Sequence, residues 1–260
     1  MKKDIQKLKA ERKIEIDKVG VKNIKVPLLV RTKKSKPQFT IADINLYVNL
    51  PHKYKGTHMS RFIEILNRHT KKVLSGKSLG EITKEVKKRL NAERAFLEVS
   101  FPYFMKKRSP ISKKQSLLDY KCKLIREVDE KNKVKNIVEV TVPVTLLCPC
   151  SKEISSYGAH NQRAYITVRV CWNKLVWIED LIALIEKEAS CSIYPLLKRL
   201  DEKFVTEKAF ENPKFVEDVV REIAFELNKF KKKDVIESYV VECESIESIH
   251  NHEAYAREEG

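Results

Sequence analysis

The sequence predicts an α+β protein in which a mostly antiparallel sheet carries helices on one face. Two observations predict this class. Runs in which apolar and polar residues alternate, as in half-buried strands, are separated by segments whose apolar residues recur at helical spacing. The predicted helices also come in pairs between strands, and this strand–helix–helix–strand order occurs in both halves of the chain. Such an order is typical of α+β proteins.

The first half of the chain contains three predicted strands and two predicted helices. Pro27 marks the first strand as an edge or irregular element, because proline cannot donate to a sheet ladder. A slip in the alternation of the second strand near Asp43 predicts a β-bulge. The first helix is expected to continue its apolar face as far as Val73. The predicted strands are 19–30, 39–50 and 95–104, and the predicted helices begin at Met59 and span 79–90.

The second half begins with a hairpin and ends with a strand. Asn212-Pro213 is typical of a helix N-cap followed by proline in the first turn, so a helix is predicted from there to about Phe230. Residues 195–208 are expected to be irregular. The predicted strands are 116–128, 136–147, 163–172 and 235–243, and the other predicted helix is 178–189.

The composition is that of a globular protein in a reducing compartment. The chain has 260 residues, 42% of them hydrophobic, which suits one large domain or two smaller ones. Its six cysteines form no disulfide framework, and neither a secretion signal nor a membrane-length apolar run is present. We therefore expect a cytoplasmic protein without a membrane partner. The cysteines expected to serve only in packing are Cys122, Cys171, Cys191 and Cys243.

The net charge of +16, from 52 basic and 36 acidic residues, leaves a nucleic-acid-binding function open. However, the lysines are interspersed with glutamate and aspartate along the predicted helices, and no basic-aromatic recognition motif is present. Solvated helix faces explain most of this charge, and a nucleoside triphosphate substrate explains a part of it. We expect no nucleic-acid partner. The alternative from another class is a basic RNA-binding protein whose Cys/His loop is structural.

A loop between two predicted strands carries two thiols and one imidazole. A run of Val, Leu and Thr ends at Cys148-Pro149-Cys150, and His160 follows before the next strand. Pro149 cannot donate to a ladder, so it releases the chain from the sheet. The Cys-x-Cys spacing fits neither a zinc ribbon nor a thioredoxin-type dithiol. Two interpretations remain open: small buried hydrophobic residues at a strand end, or part of an open catalytic site completed by a carboxylate.

Four blocks of sequence are specific enough to indicate a family. They are LCPCSKEISSYGAHNQR (Leu147–Arg163), GTHMSRF (Gly56–Phe62), YPLLKRLDEKFVTEKAFENPKFVEDVVR (Tyr194–Arg221) and ESIHNHEAY (Glu247–Tyr255). These blocks resemble the type IB GTP cyclohydrolases, and the match is spread over most of the chain.

The resemblance implies a particular form of the α+β class. Residues 1–18 are rich in Lys and Glu and lack an apolar stripe, so we expect a mobile or surface-lying arm there. After this arm, the resemblance implies two tandem tunnelling-fold modules, over 19–147 and 148–260. In such proteins a barrel forms when subunits associate, and the active sites lie at the subunit interfaces. The resemblance implies that the type IB enzymes are homotetramers of this kind. A homotetramer is therefore the expected assembly.

The resemblance also implies an activity. The enzymes of this family open the imidazole ring of GTP at C8 by metal-dependent hydrolysis, release formate and rearrange the product to 7,8-dihydroneopterin triphosphate. This reaction is the first step of folate biosynthesis. The alternative within the same class is an archaeal-type cyclohydrolase that releases a 2',3'-cyclic phosphate.

At the metal site, the resemblance implies Cys148, His160 and Glu202 as ligands. The expected ion is divalent, with Mn²⁺ favoured and Fe²⁺ or Zn²⁺ as alternatives. Without the resemblance, Glu202 in the segment LDEKF would be read as part of a solvated turn. Cys150 is implied as a catalytic residue, and in an extended segment its thiol would face the same way as that of Cys148.

Further site residues are implied with alternatives beside them. Glu217 is expected to anchor guanine through a bidentate carboxylate, although a helix N-terminus also favours an acid there. From the tail we expect His250, in preference to His252, to enter the site as a catalytic residue. His58 and Arg61 are expected to help hold the triphosphate.

Overall fold

A computed structural model describes residue 6, residues 8–69 and residues 73–260 of the protein. The described residues form ten strands and six helices, which confirms the α+β class. They fall into two compact units: unit 1 lies within Met1–Pro102 and Lys123–Ile137, and unit 2 within Tyr103–Cys122 and Val138–Gly260. The predicted division of the chain at residues 18 and 147 stays a prediction, and residues 1–5 and 7 of the predicted arm lie outside the described residues.

Unit 1 is built on an antiparallel hairpin and two helices. Its strands are neighbours in the order β4-β2-β1-β3. Three long strands, β4, β5 and β6, have residues in both units. The elements are β1 (Ile16–Val30), β2 (Gln38–Leu50), α1 (Met59–His69), β3 (Val73–Leu74), α2 (Gly76–Arg89), β4 (Ala95–Arg108), β5 (Gln115–Val128) and β6 (Val134–Leu147).

The predicted bulge near Asp43 is wrong. Asp43 pairs in register with Lys25, and the shift in register lies on β1, where Asn23 adopts a left-handed φ of 57°. The inward face of β2 runs unbroken through Thr40 and Ala42, both buried, while its outward face carries exposed apolar side chains. Because Thr40 is polar and Ala42 is small, the buried face does not look apolar in the sequence there, and the alternation was misread as shifted by one residue.

The first predicted helix was too long. Helix α1 ends at His69, and Val73 belongs to β3, which pairs in parallel with the end of β1. Helix α2 begins at Gly76, three residues before the predicted start. Ser75 and Ser78 form a reciprocal capping box there, and this box fixes the helix start.

Unit 2 carries the Cys/His loop and four of the six helices of the described residues. Its strands are neighbours in the order β10-β9-β7-β6, and β8 pairs with β6. The remaining elements are α3 (Pro149–Ile154), β7 (Asn161–Trp172), α4 (Ile178–Glu188), β8 (Cys191–Ser192), α5 (Arg199–Glu211), α6 (Val216–Lys232), β9 (Ile236–Ile246) and β10 (Glu253–Glu259).

Two predictions for unit 2 fail at helix boundaries. Residues 195–208 are not irregular, because most of them belong to α5; its only buried residues are Asp201 and Ala209, so the helix has no apolar stripe to read. Asn212 is the C-cap of α5 and does not start the next helix. Helix α6 starts at Val216, after the amide of Phe215 donates to Asp218 at 3.0 Å.

The core consists of the inward faces of the strands and the helix faces packed on them. The four cysteines outside the loop are all buried, which confirms their predicted packing role. The predicted last strand is followed by another, since β10 pairs antiparallel with β9. No helix among the described residues is both long and apolar enough to cross a membrane.

Helix α4 is held to the sheet of unit 2 by a partly buried polar cluster around the buried Tyr103 and Tyr120. Glu186 accepts hydrogen bonds from Tyr120 Oη at 2.7 Å and from Lys107 Nζ at 2.6 Å. Two helical turns earlier on α4, Glu179 accepts a hydrogen bond from Tyr103 Oη at 2.6 Å. Burial and the adjacent Glu186 raise the pKa of Tyr120 far above its usual range, so its hydroxyl stays a donor.

We expect Tyr120→Phe to lower the free energy of unfolding by about 1.5–3 kcal/mol, because it removes a buried hydrogen bond to a charged group. The matched control is Tyr255→Phe, which removes a similar 2.8 Å bond to Glu242 from a side chain that is 58% exposed. Tyr255→Phe should lower the free energy of unfolding by less than about 1 kcal/mol. Urea unfolding of the two variants measures the difference, and equal costs would contradict the role of burial.

Candidate active site

The Cys/His loop begins where strand β6 is pinned at its last residue. The amide of Leu147 donates to Ser190 Oγ at 3.2 Å, and its carbonyl accepts from the amide of Lys214 at 3.1 Å. Pro149, in the first turn of α3, has no amide hydrogen to continue the ladder. The strand therefore ends at Leu147, and the loop starts from a fixed point.

A short chain of hydrogen bonds brings Cys148 and His160 together. The amide of Cys148 donates to the carbonyl of His160 at 3.1 Å. The amide of His160 donates to Ser151 Oγ at 3.2 Å, and that hydroxyl donates to the carbonyl of Cys148, also at 3.2 Å. Two of the predicted site residues, twelve positions apart in sequence, thus become neighbours.

The two thiols of the loop differ in setting. Cys148 is the N-cap of α3, half-buried, and its Sγ accepts from the amide of Ser151 at 3.4 Å. Cys150 is exposed and lies inside that helix. The expectation that both thiols face the same way is wrong, because residues two apart on a helix do not share a face.

The imidazole of His160 is oriented by two residues that sequence reasoning missed. Its Nδ1 lies 2.8 Å from Gln162 Oε1 and 3.4 Å from Ser248 Oγ. Gln162 Nε2 donates in turn to Glu247 Oε1 at 3.2 Å. A signal for Gln162 was present, since residues at alternate positions along a strand lie on one face. The contact with Glu247 depends on the pairing of β7 with β9, which a sequence alone does not give.

Glu202 stands in the first turn of α5, next to a residue that fixes the start of this helix. Asp201 is fully buried and accepts from the amides of Ile111 and Ser112, both at 2.8 Å, and of Lys198 at 2.9 Å. The hydroxyl of Ser112 donates to it as well, at 2.6 Å. Burial opposes ionisation of this carboxyl, but the hydrogen bonds hold the pKa of Asp201 well below its usual range.

Helix α5 packs against the base of the loop. Ala209 lies in a buried cluster with Leu147 and Cys191, and Val205 and Ala159 pack against this cluster. Glu202 is three residues before Val205 and seven before Ala209, so helical spacing places it on the same face of α5. Ala159, the residue before His160, packs against the same cluster as this face.

The structure does not gather all three predicted metal ligands. Among the described residues, no three His, Cys, Asp or Glu side chains are arranged so that they could hold a metal ion. Cys148 and His160 are joined through their backbones, while Glu202 is exposed on α5. Its role as a ligand stays a prediction.

Glu217 lies in the first turn of α6 and is exposed. Its neighbour Asp218 accepts from the amide of Phe215 and so satisfies the helix start. Burial, together with the charges of Glu217 and Glu244, raises the pKa of the Cys243 thiol to about 12. A carboxylate that is not needed as a cap is available to a ligand, but its role as guanine anchor stays a prediction.

The tail histidines lie in the connection between β9 and β10. The rings of His250 and His252 stack with centroids 4.9 Å apart, and both residues are exposed. The same connection supplies Glu247 and Ser248 to the surroundings of His160. The tail thus reaches the loop, while the preference for His250 over His252 stays a prediction.

The two residues predicted to hold triphosphate belong to unit 1. His58 and Arg61 line a cavity of about 350 Å³ together with Tyr54 and Asn91. The amide of Arg61 donates to the carbonyl of His58 at 3.2 Å, and its Nη1 donates to the carbonyl of Arg89 at 3.2 Å. Contact of these residues with phosphate stays a prediction.

Solved structures show the class of fold. A uricase from Bacillus fastidious matches with a TM-score of 0.53 and 9% identity over 96% of this chain and 94% of its own. A hyper-thermostable AgUricase mutant matches with a TM-score of 0.50 and 8% identity over 94% of this chain and 91% of its own. These proteins have the tunnelling fold, so the chain is a tunnelling-fold protein.

Sequence comparison shows the family. Residues 2–256 match the family model described as type I GTP cyclohydrolase folE2, and the chain belongs to this family. A protein named GTP cyclohydrolase FolE2 from Nitrosococcus oceani is 52% identical over 97% of this chain and 93% of its own length. Relatives of the same name from Magnetococcus marinus and Geobacter metallireducens are 51% and 50% identical, over 99% and 97% of this chain and 95% of each relative. The resemblance of the four sequence blocks is thereby confirmed.

The hydroxyl of Ser151 should hold the loop closed. We expect Ser151→Ala to speed amide hydrogen exchange in the segment from Cys148 to His160 roughly two- to tenfold, since a hydrogen bond contributes about 0.5–1.5 kcal/mol. Ser155→Ala is the control, because Ser155 Oγ accepts from the nearby amide of Tyr157 at 3.3 Å, a bond that does not join Cys148 to His160. Hydrogen exchange followed by mass spectrometry measures the exchange rate of the peptides that cover this segment. Equal rates in the two variants would contradict the role of the Ser151 hydroxyl.

Proposed function

We propose that the protein is a GTP cyclohydrolase that opens the imidazole ring of GTP at C8. It releases formate and forms 7,8-dihydroneopterin triphosphate, the entry to folate biosynthesis. The observation that carries this proposal is family membership over residues 2–256. The joined Cys148 and His160, on a loop fixed at its base, support it with the kind of groups that such hydrolysis requires.

The donor chemistry of the loop fits a divalent metal. Cys148 offers a thiolate, and His160 has its Nδ1 engaged by Gln162, which leaves Nε2 as a ligand atom. Glu202 would complete the set from the face of α5 that packs next to the loop. From the family resemblance we infer Mn²⁺ as the favoured ion and Fe²⁺ or Zn²⁺ as alternatives; a set of one thiolate, one imidazole and one carboxylate also suits Zn²⁺. When bound, the metal supplies Lewis acidity for the hydrolytic step.

Two further groups are proposed to move protons. Cys150 is exposed beside Cys148 and is not needed as a cap, so its thiol is available to donate to a ring nitrogen as the imidazole opens. His250 is proposed to take part from the tail connection that also reaches His160. Neither residue is proposed as a metal ligand.

Glu217 is proposed to anchor guanine. A carboxylate accepts from both N1–H and the exocyclic amine of guanine, and few other side chains offer two acceptors in one plane. The exposure of Glu217 and the separate cap provided by Asp218 support this role. His58 and Arg61 are proposed to contact the triphosphate.

The proposed assembly is a homotetramer in which subunits complete a barrel. Large apolar side chains around the loop and α5 are exposed in the single chain and would be covered by association. They include Ile154, Tyr157 and Leu200, which are 84%, 101% and 66% exposed. We propose a cytoplasmic enzyme whose substrate is GTP and whose partners include neither nucleic acid nor membrane.

Metal-dependent release of formate from GTP tests the proposed function. We expect formate from the protein loaded with Mn²⁺, Fe²⁺ or Zn²⁺, and none after chelation. The mass of the product separates the linear triphosphate from a cyclic phosphate. His160→Ala should lose metal content and activity together, while His52→Ala, the same change at an exposed histidine, should retain both. Full metal occupancy in His160→Ala would remove this residue from the ligand set.

Glu217→Gln separates a guanine anchor from a helix-terminal acid. For an anchor, the new NH₂ faces a donor on guanine, and losing a bond to a charged group costs about 1.5–3 kcal/mol, so kcat/KM should fall at least roughly tenfold. For a helix-terminal acid, only stability should change, by a few tenths to about 1 kcal/mol.

Asp218→Asn is the control for this test. It removes a charge from the same helix end and retains an oxygen for the amide of Phe215, so it should leave kcat/KM unchanged. Unchanged kinetics in a well-folded Glu217→Gln tetramer would mean that guanine is bound elsewhere.

A further inference from the structure

A chain of three side chains runs from the tail connection to the imidazole of His160. Glu247 accepts from Gln162 Nε2 at 3.2 Å, and Gln162 Oε1 lies 2.8 Å from His160 Nδ1. Gln162 and Glu247 are both half-buried. Nothing in the proposed function assigns either residue a part.

The chemistry of this chain determines which ring nitrogen of His160 carries the proton. An ionised carboxylate only accepts, so the NH₂ of Gln162 must face Glu247 and its oxygen must face the imidazole. An amide oxygen also only accepts, so Nδ1 must donate. Nε2 is then left with its lone pair, in the form that binds a metal or accepts a proton.

Strand pairing explains why Gln162 and Glu247 meet. In the antiparallel pair of β7 and β9, Ala164 is opposite Ser245. Continuing that register by two residues places Gln162 opposite Glu247, on the same side of the sheet as Ala164 and Ser245. The contact therefore follows the register of the two strands, although Glu247 lies one residue beyond the end of β9.

The other neighbour of Nδ1 does not select a tautomer. Ser248 Oγ lies 3.4 Å away, and a hydroxyl either donates or accepts. Only the amide whose orientation is fixed by Glu247 requires a proton on Nδ1. In free neutral histidine the proton resides mainly on the other nitrogen, Nε2, so the tautomer at His160 must be imposed by its partners.

We propose that Gln162 and Glu247 are positioning residues that hold His160 in the Nδ1–H tautomer and so leave its Nε2 lone pair for a ligand. They act through His160 and do not touch the substrate. The role of His160 as a metal ligand rests on the proposed function, whereas its tautomer does not. Gln162 and Glu247 also link the connection between β9 and β10, which carries His250, to the tautomer of His160.

The first measurement is the tautomer of His160 in the metal-free, GTP-free protein, by nitrogen-15 NMR of the imidazole rings. His160→Gln identifies the resonances. We expect a protonated Nδ1 and an unprotonated Nε2 in the natural protein. Gln162→Leu should convert His160 to a mixture or to the Nε2–H form. Gln115→Leu, the same change on β5, should leave it as it was.

An exchange of the two groups tests positioning against a merely structural role. In the double variant Gln162→Glu with Glu247→Gln, the new carboxylate accepts from both His160 Nδ1 and the new amide. The Nδ1–H tautomer should therefore return, although both residues have changed. Glu247→Ala, which frees the amide of Gln162 to turn, should weaken the preference for that tautomer.

The second measurement is the affinity for Zn²⁺ alone, by competition with a chromophoric chelator. Loss of an orienting partner behind a ligand histidine typically weakens metal binding by about 10–100-fold, which we expect for Gln162→Leu and not for Gln115→Leu. An Nε2–H tautomer in the natural protein, or an unchanged tautomer in Gln162→Leu, would overturn the proposal. A correct tautomer without any change in Zn²⁺ affinity would contradict only the ligand role of His160 within the proposed function.

Discussion

The hydrogen bonds that join Cys148, Ser151 and His160 are the constraint on which the candidate site depends. They close a thirteen-residue excursion from the sheet, so that Cys148, just after β6, and His160, just before β7, become neighbours through their backbones. The closure works because the strand before it is fixed: Leu147 is bonded through its amide to Ser190 and through its carbonyl to Lys214. Loop residues positioned by a rigid scaffold are the usual setting for catalysis.

Helix α5 brings the next part of the site to this fixed point. The buried carboxylate of Asp201 holds the loop of Ile111 and Ser112 and the amide of Lys198, and so defines where α5 begins. The opposite part of the helix packs under the loop through Ala209. A charged group without these donors would be costly to bury, so the network and the helix position stabilise each other. These contacts of Asp201 and Ala209 fix the position of α5, and with it the position of Glu202.

Periodicity predicted the class of fold and most strands, because strands with one buried face show their alternation directly. It failed where the buried face was not apolar. Thr40 and Ala42 face inward on β2 and imitated a bulge, and α5 was missed because one of its two buried residues is Asp201. These errors share a cause: the pattern of hydrophobicity reports burial only when burial is apolar.

The site was predictable in part. The loop composition indicated a metal or nucleophile site, and the family resemblance indicated particular residues. Gln162 and Glu247 could not be found in this way, since their contact arises from the register of β7 against β9 and joins positions 85 residues apart. The Cys-x-Cys spacing also led to a wrong prediction, that both thiols face the same way. Cys150 lies in the short helix α3 and not in an extended segment, which would have aligned the two thiols.

The identity of the metal-binding sulfur is the central claim, and X-ray absorption spectroscopy of the Zn²⁺-loaded protein tests it most directly. We expect one sulfur at about 2.3 Å from zinc in the natural protein, with lighter donors completing the shell. This sulfur signal should disappear in Cys148→Ala and remain in Cys150→Ala. A shell without sulfur in the natural protein, or a sulfur signal that survives Cys148→Ala, would contradict the account.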